Sequence, residues 1–233
     1  ALKKKNMAIV LGSTRNYFFF FVTVVLNLKK FSPAFADDIL IYYDDVAERD
    51  REILVQELGC KLIKYELPFK PTKNTDALRR FTPLSFSIYE IFKLLSGYRH
   101  VLWLDSDICI QDDISGILEH ASPVSIRHGG APLRIALGRH ISPEMDLSPT
   151  NNTGVVLVRD DLPDYRDIHH DCYLYTQRFL ETLNLPDQGI INYTLWKHGI
   201  PITDLTKDYN YTVYHAFHGY NKAKIFHLAT DSK

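Results

Sequence analysis

The chain has 233 residues, of which 45% are hydrophobic and 24% charged, with a formal net charge of −1. That is an ordinary globular composition, long enough for one large α/β domain with a sizeable core. So balanced a charge provides no overall field for nucleic acid or an anionic membrane, and no nucleic-acid partner is expected.

In chain order, apolar runs of strand length alternate with segments of helical period. MAIVLGS (7–13) reads as a strand, 17–30 as a buried helix and DILIYYDD (38–45) as a strand. AERDREILVQELG (47–59) is an amphipathic helix stopped by Gly59, and CKLIKYEL (60–67) is a strand. A loop rich in Pro, Lys and Thr covers 68–75. PLSFSIYEIFKLLSG (83–97) is a helix and HVLWLDSD (100–107) a strand. Further on, 122–130 and 152–159 read as strands around a Gly- and Pro-containing loop. Residues 165–184 and 187–199 read as helices, and 224–230 as a closing strand. The alternation predicts an α/β fold: a mostly parallel central sheet flanked by helices, one domain over residues 1–233. Ligands of such sheets sit outside the carboxyl ends of the strands.

Residues 1–36 also imitate a secretory signal, with a basic start, an apolar core at 17–28 and AFA at 34–36. The strand-like segment and polar TRN before that core, and Lys29 and Lys30 directly after it, speak against this reading. The core is too short to span a bilayer. Cys60, Cys109 and Cys172 are odd in number and far apart, fitting neither a zinc site nor a disulfide framework. They point to a reducing, cytoplasmic setting.

Asp105 and Asp107 interrupt the apolar run VLWLDSDICI. Strand residues i and i+2 face the same way, about 7 Å apart, so the two carboxylates would converge at the sheet's carboxyl edge. Close carboxylates repel unless a cation joins them, and a hard divalent ion prefers such oxygens. A turn is the alternative. Asp44 and Asp45 are adjacent, point to opposite faces and read as a solvated turn or cap. Asp112 and Asp113 read as caps of a short helix over ISGIL.

VLWLDSDICI resembles the D-x-D strand of the glycosyltransferase GT-A fold, and the chain resembles glycosyltransferase family 8. Four further stretches fall in the family's order. AIVLGSTRNYF looks like its first strand and nucleotide-binding turn. NNTGVVLV matches N-x-G-V-x-L, LPDQGIINY matches D-Q-x-x-x-N, and IFHLATDSK matches H-x-x-G-x-x-K. The resemblance implies a Rossmann-like GT-A domain. It also implies transfer of a hexose (galactose or glucose) from a UDP-sugar to a glycan or lipopolysaccharide-type acceptor, with retention and with Mn²⁺ or Mg²⁺.

Carried over residue by residue, Asp105, Asp107 and His227 would bind the metal. Leu11, Gly12, Ser13, Asn16, Tyr17, Ser106 and Gly154 would contact the donor, and Lys233 its diphosphate. Asn152, Asp187 and Gln188 would lie at the sugar, and Gly154 would let the backbone approach it. Asp187 could equally cap a helix after Pro186, Tyr17 could pack with the phenylalanines that follow, and Asn192 reads as structural. The chain departs from the family in three ways. Thr14 and Arg15 stand where an acidic residue is frequent near the base, Thr230 stands where glycine is usual, and relatives continue past the position of Lys233. Any peripheral membrane contact would reside in such a tail.

Asn151, Asn192 and Asn210 begin N-x-T patterns that have no meaning in a cytoplasmic protein. A sugar-phosphate nucleotidyltransferase, or a GT-A domain that binds sugar without catalysis, are the alternatives. A glycine-rich basic loop would favour the first, and loss of either aspartate the second.

Overall fold

The structure, a computed structural model, describes residues 3–71, 75–212 and 222–228. Its strands are β1 (Lys5–Ser13), β2 (Asp38–Tyr43), β3 (Lys61–Lys64), β4 (Tyr98–Leu104), β5 (Ile108–Ile110), β6 (Val124–Pro132), β7 (Pro149–Arg159), β8 (Tyr211–Thr212) and β9 (Ile225–His227). Six of them form one sheet in the order β3-β2-β1-β4-β7-β6. The first four run parallel, and β7 is antiparallel to both β4 and β6. A second sheet of three short strands, β5-β9-β8, sits beside it. The outcome is the expected single α/β domain with a mainly parallel sheet and flanking helices.

Strand alternation builds two cores. Met7, Ile9, Leu11, Leu102, Leu104, Val155 and Leu157 face one side. Ala8, Val10, Val101, Trp103, Val156 and Val158 face the other. Every strand in this central group is therefore apolar on both faces, as a sheet covered twice must be. On the first side lies α1 (Phe18–Phe31), which buries Phe21, Val24, Val25 and Leu28. The apolar core of the signal-like segment is thus a packed element of the fold. No helix among the described residues is long and apolar enough to cross a membrane.

Several elements differ from expectation. Residues 47–59 become α2 (Glu48–Glu52) followed by a π-helical turn, Ile53–Glu57, ending at Gly59 with φ +63°. The strand expected over 60–67 shrinks to β3, an edge strand that pairs only with β2. An unexpected helix, α3 (Asp76–Phe81), follows, with the Thr75 hydroxyl accepting the Leu78 N–H. Residues 83–97 begin as a 3₁₀ segment, Pro83–Tyr89, and only then form α4 (Glu90–Leu94). Two short helices, α5 (Leu133–Leu137) and α6 (Pro143–Asp146), fill the loop between β6 and β7. The helix α7 (Tyr165–Phe179) stops before 184 because the next turn docks on α5: the Asn184 and Leu185 N–H groups both donate to Ala136 O. The helix α8 (Pro186–Lys197) follows.

Candidate functional site

The main correction concerns the aspartates. β4 ends at Leu104, so Asp105 and Asp107 stand in a tight turn before β5 and not in one strand. Their convergence comes from the turn. Asp105 still keeps the strand's alternation: its Oδ1 accepts a 2.7 Å hydrogen bond from Trp103 Nε1, two residues back on the same face. Its backbone N–H donates to Gly154 O on β7 at 2.9 Å.

His227 arrives from far along the chain by strand pairing. β9 runs antiparallel to β5 with Ile108 opposite His227, and Leu228 N–H donates to Asp107 O at 2.7 Å. This places the imidazole Nε2 3.3 Å from Asp107 Oδ1 and 3.7 Å from Asp105 Oδ2. One ligand atom from each of Asp105, Asp107 and His227 lies within 4.8 Å of the others.

Burial, with the carboxylates of Asp107 and Asp187 nearby, pushes Asp105 up to about 7, although 31% of its side-chain surface remains open. Burial also opposes ionisation of Asp107, but the hydrogen bond and charge of His227 hold its pKa below the ordinary carboxylate value. Burial disfavours a charged His227, yet the bond to Asp107 and the charges of Asp105 and Asp107 raise its pKa. Anionic oxygens drawn this close favour any cation placed among them. Two carboxylates and one imidazole form a donor set that suits a hard or borderline divalent ion, so the residues fit Mn²⁺ or Mg²⁺.

The helix α8 brings in two more of the expected residues. Leu185 caps it, so Asp187 is not the N-cap; it lies in the first turn after Pro186. Its Oδ2 accepts the Thr153 hydroxyl at 2.8 Å, and backbone N–H groups of Asp187 and Gln188 also reach it. Burial nonetheless raises its pKa. Gln188 Nε2 donates to Thr150 Oγ1 at 2.8 Å, and that hydroxyl donates to Ala131 O at 2.9 Å. The Thr150 proton is thus committed, so Gln188 must present its nitrogen there and its oxygen elsewhere. Asn192 is buried and bonds Asn151 and Gln188 O.

The remaining expected residues take varied positions. Leu11 is fully buried, and Gly12 packs under Trp103 and Ser87. Ser13 ends β1, opposite Tyr43 at the end of β2. Asn16 and Tyr17 are exposed in a 3₁₀ turn, with Tyr17 against Phe20 rather than in the core. Ser106 is the half-buried apex between the aspartates. At Gly154 a Cβ would stand 2.2 Å from His227 Cε1, so its bareness makes room for the imidazole. Asn152 faces inward through Oδ1, which accepts the Gly154 N–H at 3.0 Å and Asn210 Nδ2 at 2.9 Å. Lys233 and Thr230 lie outside the described residues.

Four residues at the site were not singled out as functional from sequence: Trp103, Thr150, Thr153 and Asn210. Trp103 carried a readable signal, an N–H donor two residues before an aspartate that ends an apolar run.

A comparison with curated protein sequences gave no match. Among solved structures, the chain is similar to the galactosyltransferase LgtC in complex with donor and acceptor sugar analogs. The TM-score is 0.70 at 14% identity, covering 97% of this chain and 88% of that one. It is also similar to the glycosyltransferase GlyE of Streptococcus pneumoniae TIGR4, with a TM-score of 0.64 and 20% identity over 99% of this chain and 56% of that one. For mouse xyloside xylosyltransferase 1 the TM-score is 0.58 at 13% identity, over 97% of each chain. At these identities the likeness is one of fold. The model of glycosyl transferase family 8 matches residues 8–230, which spans both D-x-D carboxylates and His227. The chain belongs to glycosyl transferase family 8.

Proposed function

We propose that the chain is a metal-dependent, retaining hexosyltransferase that moves galactose or glucose from a UDP-sugar to a glycan or lipopolysaccharide-type acceptor. The observation that carries this reading is the convergence of Asp105, Asp107 and His227 at the carboxyl edge of the sheet. Membership of the family supports the donor class, and the departure at Thr14 and Arg15 makes the base the first preference to test.

Asp105, Asp107 and His227 Nε2 would hold the divalent ion. Once bound, it supplies positive charge against the diphosphate as that group departs. Lys233 would add a second positive charge to the diphosphate. Asp187 is tied to Thr153 and the start of α8, which suits orientation of sugar hydroxyls rather than attack on the anomeric carbon. Gln188 turns its neutral oxygen away from Thr150, and an oxygen aimed at the anomeric carbon would stabilise positive charge there. The bond from the anomeric carbon to the diphosphate breaks as the acceptor oxygen bonds on the same face. The acceptor proton passes to the departing diphosphate oxygen. Catalysis then rests on position and electrostatics, without a strong side-chain base.

The test is mass spectrometry of products from a panel of UDP-, GDP- and TDP-sugars with Mn²⁺ and mixed glycan acceptors. Hexose transfer from a UDP-sugar, abolished by a chelator, supports the reading. Transfer of a nucleotidyl group instead, or equal turnover without metal, overturns it.

A further inference from the structure

The protons of the site can be assigned from one group whose identity is not in doubt, the backbone N–H of Gly154. It donates to Asn152 Oδ1 at 3.0 Å, which fixes the orientation of that amide. The atom of Asn210 that lies 2.9 Å from the same oxygen must then be a donor, Nδ2, because two amide oxygens at that distance repel. The orientation of Asn210 follows: its Oδ1 faces His227 Nδ1, 3.1 Å away. An amide oxygen can only accept, so His227 Nδ1 carries a proton. In the neutral imidazole this leaves the lone pair on Nε2, the nitrogen facing Asp107 Oδ1 at 3.3 Å and Asp105 Oδ2 at 3.7 Å. A lone pair aimed between two carboxylates is unfavourable by itself and becomes favourable around a cation.

We propose that Asn210 is a positioning residue of the metal site, holding His227 in the Nδ1–H tautomer so that Nε2 is offered to the ion. The inference deepens the proposed function and rests on His227 being a metal ligand. Three observations support the assignment. Asn210 is 2% exposed, so water does not compete for its amide. It directly precedes β8, whose parallel pairing sets Thr212 opposite His227 and so fixes the distance between the two side chains. Its Nδ2 is held by Asn152, which sits two residues before the glycine that makes room for the imidazole. One chain of hydrogen bonds thus links β7, the segment before β8, and the ligand on β9. Imidazole ligands in metal sites generally donate their second N–H to such a partner, which fixes tautomer and ring orientation.

The test uses the metal-free full chain. Two-bond ¹H–¹⁵N NMR, above the pH at which His227 is protonated, reads its tautomer directly. Wild type should show Nδ1–H, and Asn210→Leu should shift His227 towards Nε2–H, since Asp107 Oδ1 is then the nearest acceptor. A merely structural role would not move that signal. In a Mn²⁺ titration without donor, Asn210→Leu should bind about 10- to 100-fold more weakly. Asn210→Asp keeps an acceptor oxygen and should retain the Nδ1–H tautomer; this variant decides the matter if the leucine variant does not fold. An Nε2–H tautomer in wild type or in Asn210→Asp overturns the inference. So does a leucine variant with wild-type tautomer and affinity. His227→Ala separates the two levels. If it binds Mn²⁺ as wild type does, the ligand assignment itself has failed; if it binds weakly while Asn210→Leu is unaffected, only the positioning role has.

Discussion

Gly154→Ala is a one-methyl test of how tightly the candidate metal site is built. The added Cβ would lie 2.2 Å from His227 Cε1, 2.4 Å from Nδ1 and 2.9 Å from Nε2. Carbon atoms in contact sit about 3.5–4.0 Å apart, so the ring or the strand must retreat by roughly 1.5 Å. The ring has little freedom: it is buried, bonded to Asn210, and carried on a strand paired with β5. If β7 moves instead, it takes with it the Gly154 carbonyl that accepts the Asp105 N–H. Either way the ligand atoms part by far more than the tolerance of about 0.2 Å on metal–ligand distances. Overpacking of this kind costs about 1–3 kcal/mol. Urea denaturation of the metal-free protein should show that loss, and a Mn²⁺ titration should show affinity reduced about 10-fold or more, as for a disturbed ligand partner. In a His227→Ala background the clash is gone, so the stability cost of Gly154→Ala should fall by about 1 kcal/mol or more, within the range seen for touching residues. Equal cost in both backgrounds, or unchanged Mn²⁺ affinity, would refute the reasoning.

Three other substitutions test separate parts of the molecule. Asp105→Asn should abolish Mn²⁺-dependent UDP binding by calorimetry while leaving the fold intact. Because burial raises the Asp105 pKa, its contribution to stability is present below about pH 4 and lost as pH rises through 7. Metal-free Asp105→Asn should therefore gain in thermal stability relative to wild type between pH 5 and 8; a widening deficit would contradict the sign. At the opposite edge of the sheet, burial opposes ionisation of Asp38, but Lys5, Lys61 and Tyr98 hold it down at about 2. Its stabilisation is present above about pH 4 and lost as pH falls towards 2. Asp38→Asn should cost about 1–2 kcal/mol at pH 7, allowing for the exposed lysines, and little at pH 2 in urea titrations. Gln188→Ala should retain appreciable turnover where the aspartate variants show none; complete loss, with the fold intact, would make Gln188 essential to the chemistry.

The sheet was legible because β1, β4 and β7 each carry an unbroken apolar run of strand length, as strands covered on both faces do. The three candidate metal ligands were legible as residue types, but the reason given for their convergence was incomplete. A strand that stops at Leu104 and a strand that runs to Asp107 look the same in an apolar run. The pairing that delivers His227 was not legible, since β5 and β9 have three residues each and their contact spans more than a hundred positions. Asn210 was hidden for a related reason. Locally it reads only as the start of an N-Y-T pattern, and its role exists only once the small sheet forms. That the imidazole of His227 closely approaches Gly154 is a tertiary fact that no local pattern announces. The break at Thr82, with φ 59°, before Pro83 likewise turned an expected helix into a 3₁₀ segment without changing its apolar pattern.

The central claim is metal-dependent transfer with retention, and proton NMR of the first-formed product, followed during turnover with an α-linked UDP-hexose and Mn²⁺, tests it most directly. The account predicts an α-linked product, with the small anomeric coupling of that configuration, and no product after chelation. A β-linked product, or the same product formed without metal, would contradict it.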